Sequence, residues 1–469
     1  MARLVVVSNR VSALGDEGAA SVGGLAMALS AALREHSGVW FGWSGDTAEE
    51  STRQIRIRNV GGVTVATLDL EEQDIQEYYN GYANRTLWPL FHYRTDLAAY
   101  ERSFDEGYAR VNARFAETLL PLLQPDDIIW VHDYHLIPLA RELRRRGVTN
   151  RIGFFLHIPW PARRLFETLP KHEALAASLF DYDLVGFQAR DFLTAFQDYV
   201  TRNAGGSLGP DGVASAFGRR VRLGVFPIGL DTPAFTAAAA GETAQAWCER
   251  MRTSLAGRRM IIGVDRLDYS KGLDERFLAY EHYLATSPDA QEQVFLLQIA
   301  TPSRDDVSAY QEIRARLDSI SGRINGAFAT VDWVPLRYVN RAYRRDELAG
   351  FYRSAAVGLV TPLRDGMNLV AKEYVAAQDP KDPGVLVLSQ FAGAAEQLTD
   401  ALIVNPFSRE EVSDAIARAL AMPLPERLRR WEALMDQVST HDVTAWRDSF
   451  VQALEAAVPF VRQQPSLVE

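Results

Sequence analysis

Cationic and hydroxyl-binding side chains gather at a few places in this chain, in the company of glycine and proline. Asp265-Arg266-Leu267-Asp268-Tyr269-Ser270-Lys271-Gly272 sets Arg266 and Lys271 on either side of a turn that enters a helical pattern. There the N–H groups and dipole of a helix start favour an anion, and two added cations fit a diphosphate. The alternative is two surface cations at a helix start. The segment Arg364-Asp365-Gly366-Met367-Asn368-Leu369-Val370-Ala371-Lys372-Glu373 is the richest. Gly366 permits close approach, successive amides can point at one ligand, and Glu373, a turn and a half inside, suits a diol such as a ribose or else lies on a solvated helix face. Asp133, in His132-Asp133-Tyr134-His135, suits substrate hydroxyls; these neighbours lack a convincing third metal ligand and point different ways on a loop, so no metal is expected. Gly23-Gly24 serves equally as a phosphate approach or as a packing turn, and neither G-x-G-x-x-G nor a Walker A pattern occurs. Arg10, one of 50 basic residues, carries little by itself. Trp40, Trp43, Trp88, Phe91, Tyr78, Tyr79 and Tyr93 could stack on sugar faces, and equally could be core.

The elements that must position these residues alternate. Apolar, β-branched runs predict strands at 4–8, 127–131, 152–156, 184–187, 222–226, 260–264, 294–299, 356–360 and 385–388. Amphipathic patterns predict helices at 24–35, 101–120, 135–146, 189–200, 273–285, 305–320, 345–355 and 368–377, with C-terminal helices at 410–421, 424–437 and 443–456. Strands of this kind are buried on both faces, so the class is α/β: two doubly wound parallel-sheet domains facing across a cleft. The Gly- and Ser-rich stretch 201–218 is expected to be a loop within the first sheet, and 229–245 a linker. Domains are placed at 1–236 and 237–447, with a C-terminal helix and tail, 448–469, that packs back on the first domain. The residues singled out above fall largely at the carboxyl ends of strands, where such sheets bind ligands.

A net charge of −10 argues against nucleic acid as a partner, and requires an anionic ligand to be met by locally gathered cations. One cysteine, Cys248, excludes an internal disulfide framework. The longest uncharged stretch, Gly18 to Leu33, is 16 residues of mostly small side chains, too short to span a bilayer. With no signal-peptide pattern at the N-terminus, a cytoplasmic location is expected.

Together the motifs SNR (8–10), GGLA (23–26), WFGWSG (40–45), EYYN (77–80), LWPLFHY (87–93), HDYHL (132–136), NRIGFFLHIPWP (150–161), RLDYSKGL (266–273), SR (303–304) and TPLRDGMNLVAKEYVAAQ (361–378) resemble the trehalose-6-phosphate synthase family (OtsA type, glycosyltransferase family 20), from Arg3 to about residue 455. The resemblance implies a GT-B fold and transfer, with retention, of glucose from UDP-glucose to glucose 6-phosphate. It implies Arg10, Tyr79 and Arg304 on the acceptor phosphate, Asp133 on its hydroxyls, and Trp88 and Ile158 shaping the pocket. On the donor side it implies Arg266 and Lys271 on the diphosphate with Gly23 and Gly24 in support. His157 and Asp365 would bind the transferred glucose, Leu369, Val370, Ala371, Lys372 and Glu373 the donor, with Glu373 on the ribose, and Tyr343 would lie beside the nucleotide. Asp133, His157, Arg266, Lys271 and Asp365 form the implied catalytic set.

Neither Asp133 nor Asp365 can be assigned as a nucleophile for double displacement. The family points to front-face attack, a donor phosphate oxygen taking the proton while Arg266 and Lys271 stabilise the leaving diphosphate. No cofactor is expected, and no metal is required if those cations neutralise the diphosphate. Cleft closure would complete the site. A sister synthase using glycerol 3-phosphate is the nearest rival; a non-catalytic sugar-phosphate sensor would have lost Arg266, Lys271, Asp365 or Glu373. A homodimer or tetramer is expected, with dephosphorylation left to a separate trehalose-6-phosphate phosphatase. Trp160, where the family more usually has Phe, and the loop 11–22 depart from the pattern.

Overall fold

The computed structural model describes residues 2–11, 33, 38–49, 54–302 and 308–457. Gly23, Gly24, Arg304, the loop 12–22 and all of the predicted helix 24–35 but Leu33 lie outside them. Among the described residues the chain divides into two compact units. One runs to Phe226 and resumes at Arg447; the other is Pro227–Trp446. Each is a Rossmann-like α/β unit built on its own sheet.

The first sheet contains β1 (Leu4–Arg10), β2 (Val39–Ala48), β3 (Arg56–Val60), β4 (Val63–Glu71), β5 (Ile128–His132), β6 (Arg151–Leu156), β7 (Leu184–Phe187), β8 (Ser207–Leu208), β9 (Val213–Ala216) and β10 (Arg219–Val225), in the order β3-β4-β2-β1-β5-β6-β7-β10-β9-β8. Its centre is parallel, with Val6 of β1 opposite both Trp40 of β2 and Trp130 of β5. The chain reverses its direction of strand addition between β1 and β5, which opens a crevice at their carboxyl ends.

The second sheet has β11 (Arg259–Arg266), β12 (Val294–Thr301), β13 (Leu336–Val339), β14 (Val357–Val360), β15 (Val385–Ser389) and β16 (Leu402–Val404), ordered β13-β12-β11-β14-β15-β16 and parallel throughout. Its switch point lies between β11 and β14.

Several stretches differ from the sequence expectation, among them the short strands β13 and β16 and the helical run Ile75–Leu87, none of which was predicted. β2, β3 and β4 were not among the predicted strands: glycine and serine interrupt the apolar run of β2, and β3 is exposed along most of its length and antiparallel to β4. The expected loop 201–218 instead contributes β8 and β9, an antiparallel ribbon on the other edge. The expected linker 229–245 is largely helical, Thr232–Ala240 followed by Glu242–Leu255. Its alanines are strong helix formers, and the Asp231 side chain caps the first helix by accepting the Ala234 N–H.

The C-terminal helix Val443–Glu455 carries Phe450 onto the first sheet, stacked on Trp130 at 4.5 Å between ring centroids and 11°. Gly153 and Gly186 leave room for it: a Cβ on either would come within 2.8 Å of the Phe450 ring.

Candidate active site

In the first unit, β1 ends on Arg10, whose exposed guanidinium lies 5.6 Å over the Trp43 ring. Gly45 passes beneath at φ +95°, and a Cβ there would come 2.3 Å from an Arg10 nitrogen. The positive φ is what requires glycine here; a side chain would also push the Arg10 guanidinium, the far end of a flexible side chain, off its place over Trp43. The Trp43 ring meets Tyr79 edge-on at 5.5 Å, and Tyr79 stacks on His135 at 5.9 Å and 14°. Tyr79 comes from a π-helical run, Ile75–Leu87, which closes with the Trp88 N–H donating to the Ala83 carbonyl. The same run aims the Tyr78 hydroxyl into the core, where it donates to Asn9 Oδ1 at 2.7 Å and ties this segment to the end of β1. Trp88 is buried against His92 and Tyr134.

Asp133 follows β5 at φ 76°, ψ 167°. This backbone region is nearly reserved for glycine and costs on the order of 1–3 kcal/mol, so neighbouring contacts must hold it. The Asp133 N–H donates to the Phe155 carbonyl at 2.8 Å, and its carboxylate accepts the His157 N–H at 3.2 Å. His157 Nε2 lies 3.0 Å from His132 Nδ1, and the Gln188 amide nitrogen lies 3.4 Å from His157 Nδ1. Burial holds His157 down to about 3 and His132 well below the usual histidine range, so both rings are neutral at physiological pH. Ile158 is buried beside them. Trp160 is fully buried and packs on Phe91, Phe166 and Phe196, so its departure from the family pattern is a matter of core packing.

In the second unit, β11 ends on the exposed Arg266. Asp268 organises the turn that follows, accepting the Ser270 N–H at 2.9 Å and the Tyr310 hydroxyl at 2.8 Å. Gly272, at φ 62°, then opens the helix Leu273–Thr286. Lys271 is ion-paired with Asp365, both side chains being mostly buried. Asp365 is fixed through its backbone, its N–H donating to Phe391 and its carbonyl accepting from Gly393, and Asn368 Nδ2 donates to its carboxylate at 3.1 Å. Asn368, at φ 74°, also caps the helix Leu369–Ala377 by accepting the Ala371 N–H. A buried layer supports these loops: Arg276 binds Asp265, Gln298 and Thr361.

Two donor-side expectations take a particular form. The Lys372 ammonium is buried, donating to the Ile228 carbonyl at 2.8 Å and Gln397 Oε1 at 2.7 Å, and burial lowers it to about 7. Its side chain therefore anchors the helix, and any contact with an anion falls to its backbone. Glu373 is half-buried, 3.5 Å from the Tyr352 hydroxyl, and desolvation pushes its carboxyl up to about 7. Tyr343 stands half-buried against Phe351 and Trp247, with Arg341 over its ring.

The structure thus brings Arg10 to Tyr79 by way of Trp43, Asp133 to His157, and Lys271 to Asp365. Trp43, Gly45, His135 and Gln188 join these clusters without having been singled out as site residues. The motif WFGWSG held the first two in plain view. Among the described residues no group of three or more His, Cys, Asp or Glu side chains could hold a metal, and no helix is long and apolar enough to cross a membrane.

The family model for glycosyltransferase family 20 matches residues 3–456. A trehalose-6-phosphate synthase of Sinorhizobium fredii is 50% identical over 459 residues, 97% of this chain and 99% of the relative. Among solved structures, an α,α-trehalose-phosphate synthase (UDP-forming) of Burkholderia xenovorans in complex with glucose 6-phosphate is 50% identical with a TM-score of 0.93, covering 97% of this chain and 100% of that one. The Escherichia coli enzyme bound with UDP-2-fluoro glucose is 48% identical with a TM-score of 0.92, covering 98% and 100%.

Proposed function

Since the chain belongs to glycosyltransferase family 20, we propose that it transfers glucose from UDP-glucose to glucose 6-phosphate, giving α,α-trehalose 6-phosphate and UDP. The observation that carries this reading is the Lys271–Asp365–Asn368 cluster at the switch point of the second sheet, after the strand that ends on Arg266. It sets a preorganised cation and hydroxyl acceptors where a nucleotide sugar binds in such a sheet.

Arg266 and Lys271 take the diphosphate, Glu373 the ribose hydroxyls, the first-turn amides of Leu369, Val370 and Ala371 the donor, and Tyr343 lies beside the base. Asp365 has two tasks: it orients Lys271 before the donor arrives, then accepts hydroxyls of the transferred glucose. Arg10, with Tyr79 and Arg304, takes the acceptor phosphate; Asp133 takes its hydroxyls, and Trp88 and Ile158 bound its pocket. His157, neutral and without a mobile proton near pH 7, contributes shape and backbone contacts.

The bond from the glucose anomeric carbon to the donor phosphate oxygen breaks as the acceptor's anomeric hydroxyl oxygen bonds to the same face. The hydroxyl proton passes to the departing phosphate, and configuration is retained. Charge on the leaving UDP is met by Arg266 and Lys271.

The deciding experiment is UDP release from UDP-glucose with glucose 6-phosphate, glucose, fructose 6-phosphate and glycerol 3-phosphate in parallel. Release that depends on glucose 6-phosphate and yields a non-reducing disaccharide phosphate bears the proposal out. Release with glycerol 3-phosphate alone moves the chain to the sister reaction. The proposal extends to a homo-oligomer, a cytoplasmic location and a separate downstream phosphatase; light scattering checks the first.

A further inference from the structure

At the amino ends of β6, β7 and β10, the edge of the first sheet opposite to Asp133 and His157, a cavity of about 360 Å³ is lined by Arg141, Arg144, Arg145 and Arg219, with Asp181 and Phe217. That volume is typical of a small-molecule site. Asp181, fully buried, binds both Arg141 and Arg219. Arg144 is the built floor: buried itself, it binds Asp183 at 2.9 Å and donates to the carbonyls of Val148 and Asn150. Arg145 pairs with Glu142 but stays largely exposed, and Glu142 also serves Arg146. Four guanidinium groups thus converge in a chain of net charge −10, with Asp181 divided between two of them and Glu142 between Arg145 and Arg146.

Two of the four feel the charge of the others. Burial first, then the neighbouring arginines, hold Arg141 and Arg219 below the ordinary guanidinium range. A multivalent anion would relieve that repulsion.

Phe217 is the odd one among the lining residues. Phe217 and Gly218 form the two-residue turn between β9 and β10, with φ of 53° and 70°. Such a turn favours Asn-Gly, and a bulky aromatic at positive φ is an outlier that something must hold in place. Phe217 meets Phe180 edge-on at 5.4 Å and remains 38% exposed at the mouth of the cavity.

We propose that this cavity is a binding site for a phosphorylated small molecule, the arginines taking the phosphate oxygens and the Phe217 ring covering the sugar or base. It is remote from the transfer chemistry and independent of which acceptor the chain uses.

The test is calorimetric titration of the full chain with ATP, pyrophosphate or inorganic phosphate, in saturating UDP and glucose 6-phosphate so that the catalytic phosphate sites are filled. A further binding event is expected with ATP, weakened at least tenfold in the Arg145→Gln/Arg219→Gln double variant and several-fold in Phe217→Asn. Activity without the probe should be unchanged in both. Arg141 still pairs with Asp181 in the first variant, and the second suits the turn better than the native residue, so both should fold. ATP binding no more tightly than pyrophosphate would still support the phosphate site and assign Phe217 to packing on Phe180. No event under these conditions, an event untouched by either variant, or one that chloride abolishes as readily as the variants do would overturn the proposal.

Discussion

At the carboxyl ends of β5 and β6 the first unit sets neutral, stacked rings around a single carboxylate, Asp133, whereas at the ends of β11 and β14 the second unit pairs its charges. His132 and His157 are uncharged, linked to one another and to Gln188. Arg10 rests on an indole ring, in line with Tyr79 and His135. Across the second sheet the corresponding positions carry a Lys–Asp ion pair, a capping Asn and a carboxyl titrating near neutrality. Neutral donors and aromatic faces suit a hexose with one phosphate; concentrated charge suits a diphosphate leaving group. The difference teaches that a single transfer reaction can be divided by polarity as well as by substrate.

Lys271→Ala gives the largest expected effect, because it removes a charge aimed at the leaving group. The turnover number should fall by roughly 10²–10³ with both substrates saturating. Near-normal UDP release would dissolve the contrast between the units. Next comes Gly45→Ala, which displaces Arg10 without touching a charge: the KM for glucose 6-phosphate should rise about 10- to 100-fold, the worth of a charge-assisted hydrogen bond or two. The donor KM should stay as it was, and a parallel rise would mean the change had spread beyond the acceptor side.

The pH dependence sharpens the comparison further. If Glu373 takes the ribose as proposed, its ionised form is the better acceptor, so lowering pH through about 7 should weaken donor binding. Between pH 8 and pH 6 the KM for UDP-glucose, with acceptor saturating, should rise about tenfold, as expected for one group titrating between them. Glu373→Gln should flatten that profile. Stability moves the other way. The folded state holds this proton more tightly than the unfolded chain, so its contribution is present at low pH and lost as pH rises through 7. Glu373→Gln should therefore melt higher than the parent at pH 8, with the gap closing toward pH 5. The smallest effect is expected from Gln188→Leu, which frees the His157 ring: a fall of roughly fivefold in kcat, one ordinary hydrogen bond's worth. It should show no new pH dependence between 5 and 8, since His157 titrates near 3; an ionisation in that range would show the first unit to be less neutral than described.

Much of the architecture was legible because parallel strands buried on both faces announce themselves. VFLLQI and VLVL can hardly be anything else, and the loops after them carry the charged motifs. The edges were not legible. β3, RIRNV, is half charged, since an edge strand facing solvent has no apolar face to declare. The alanine run at 234–240 reads as featureless where it is helical. Within the site, motifs disclosed Lys271 and Asp365 singly, but their pairing across β11 and β14 is a property of sheet order. Likewise Trp43, Tyr79 and His135 come from a strand, a π-helical run and a short 3₁₀ turn, and only the fold makes them neighbours. Lys372 shows the converse: the resemblance placed it on the donor, and its burial turned the ammonium to a carbonyl.

The π-helical run Ile75–Leu87 also bears on how the length of this chain can vary over generations. Its hydrogen bonds skip one residue more than those of an α-helix, so extra backbone is stored along it. Losing a single residue there would let a turn relax to ordinary α-helix with its flanks in place, but it would re-aim the side chains within the run, exchanging the outward tyrosine for the inward one. Segments such as the Gly-rich ribbon near 205–212 can gain or lose residues at little expense, whereas this stretch is held to a fixed count by two adjacent tyrosines with opposite tasks.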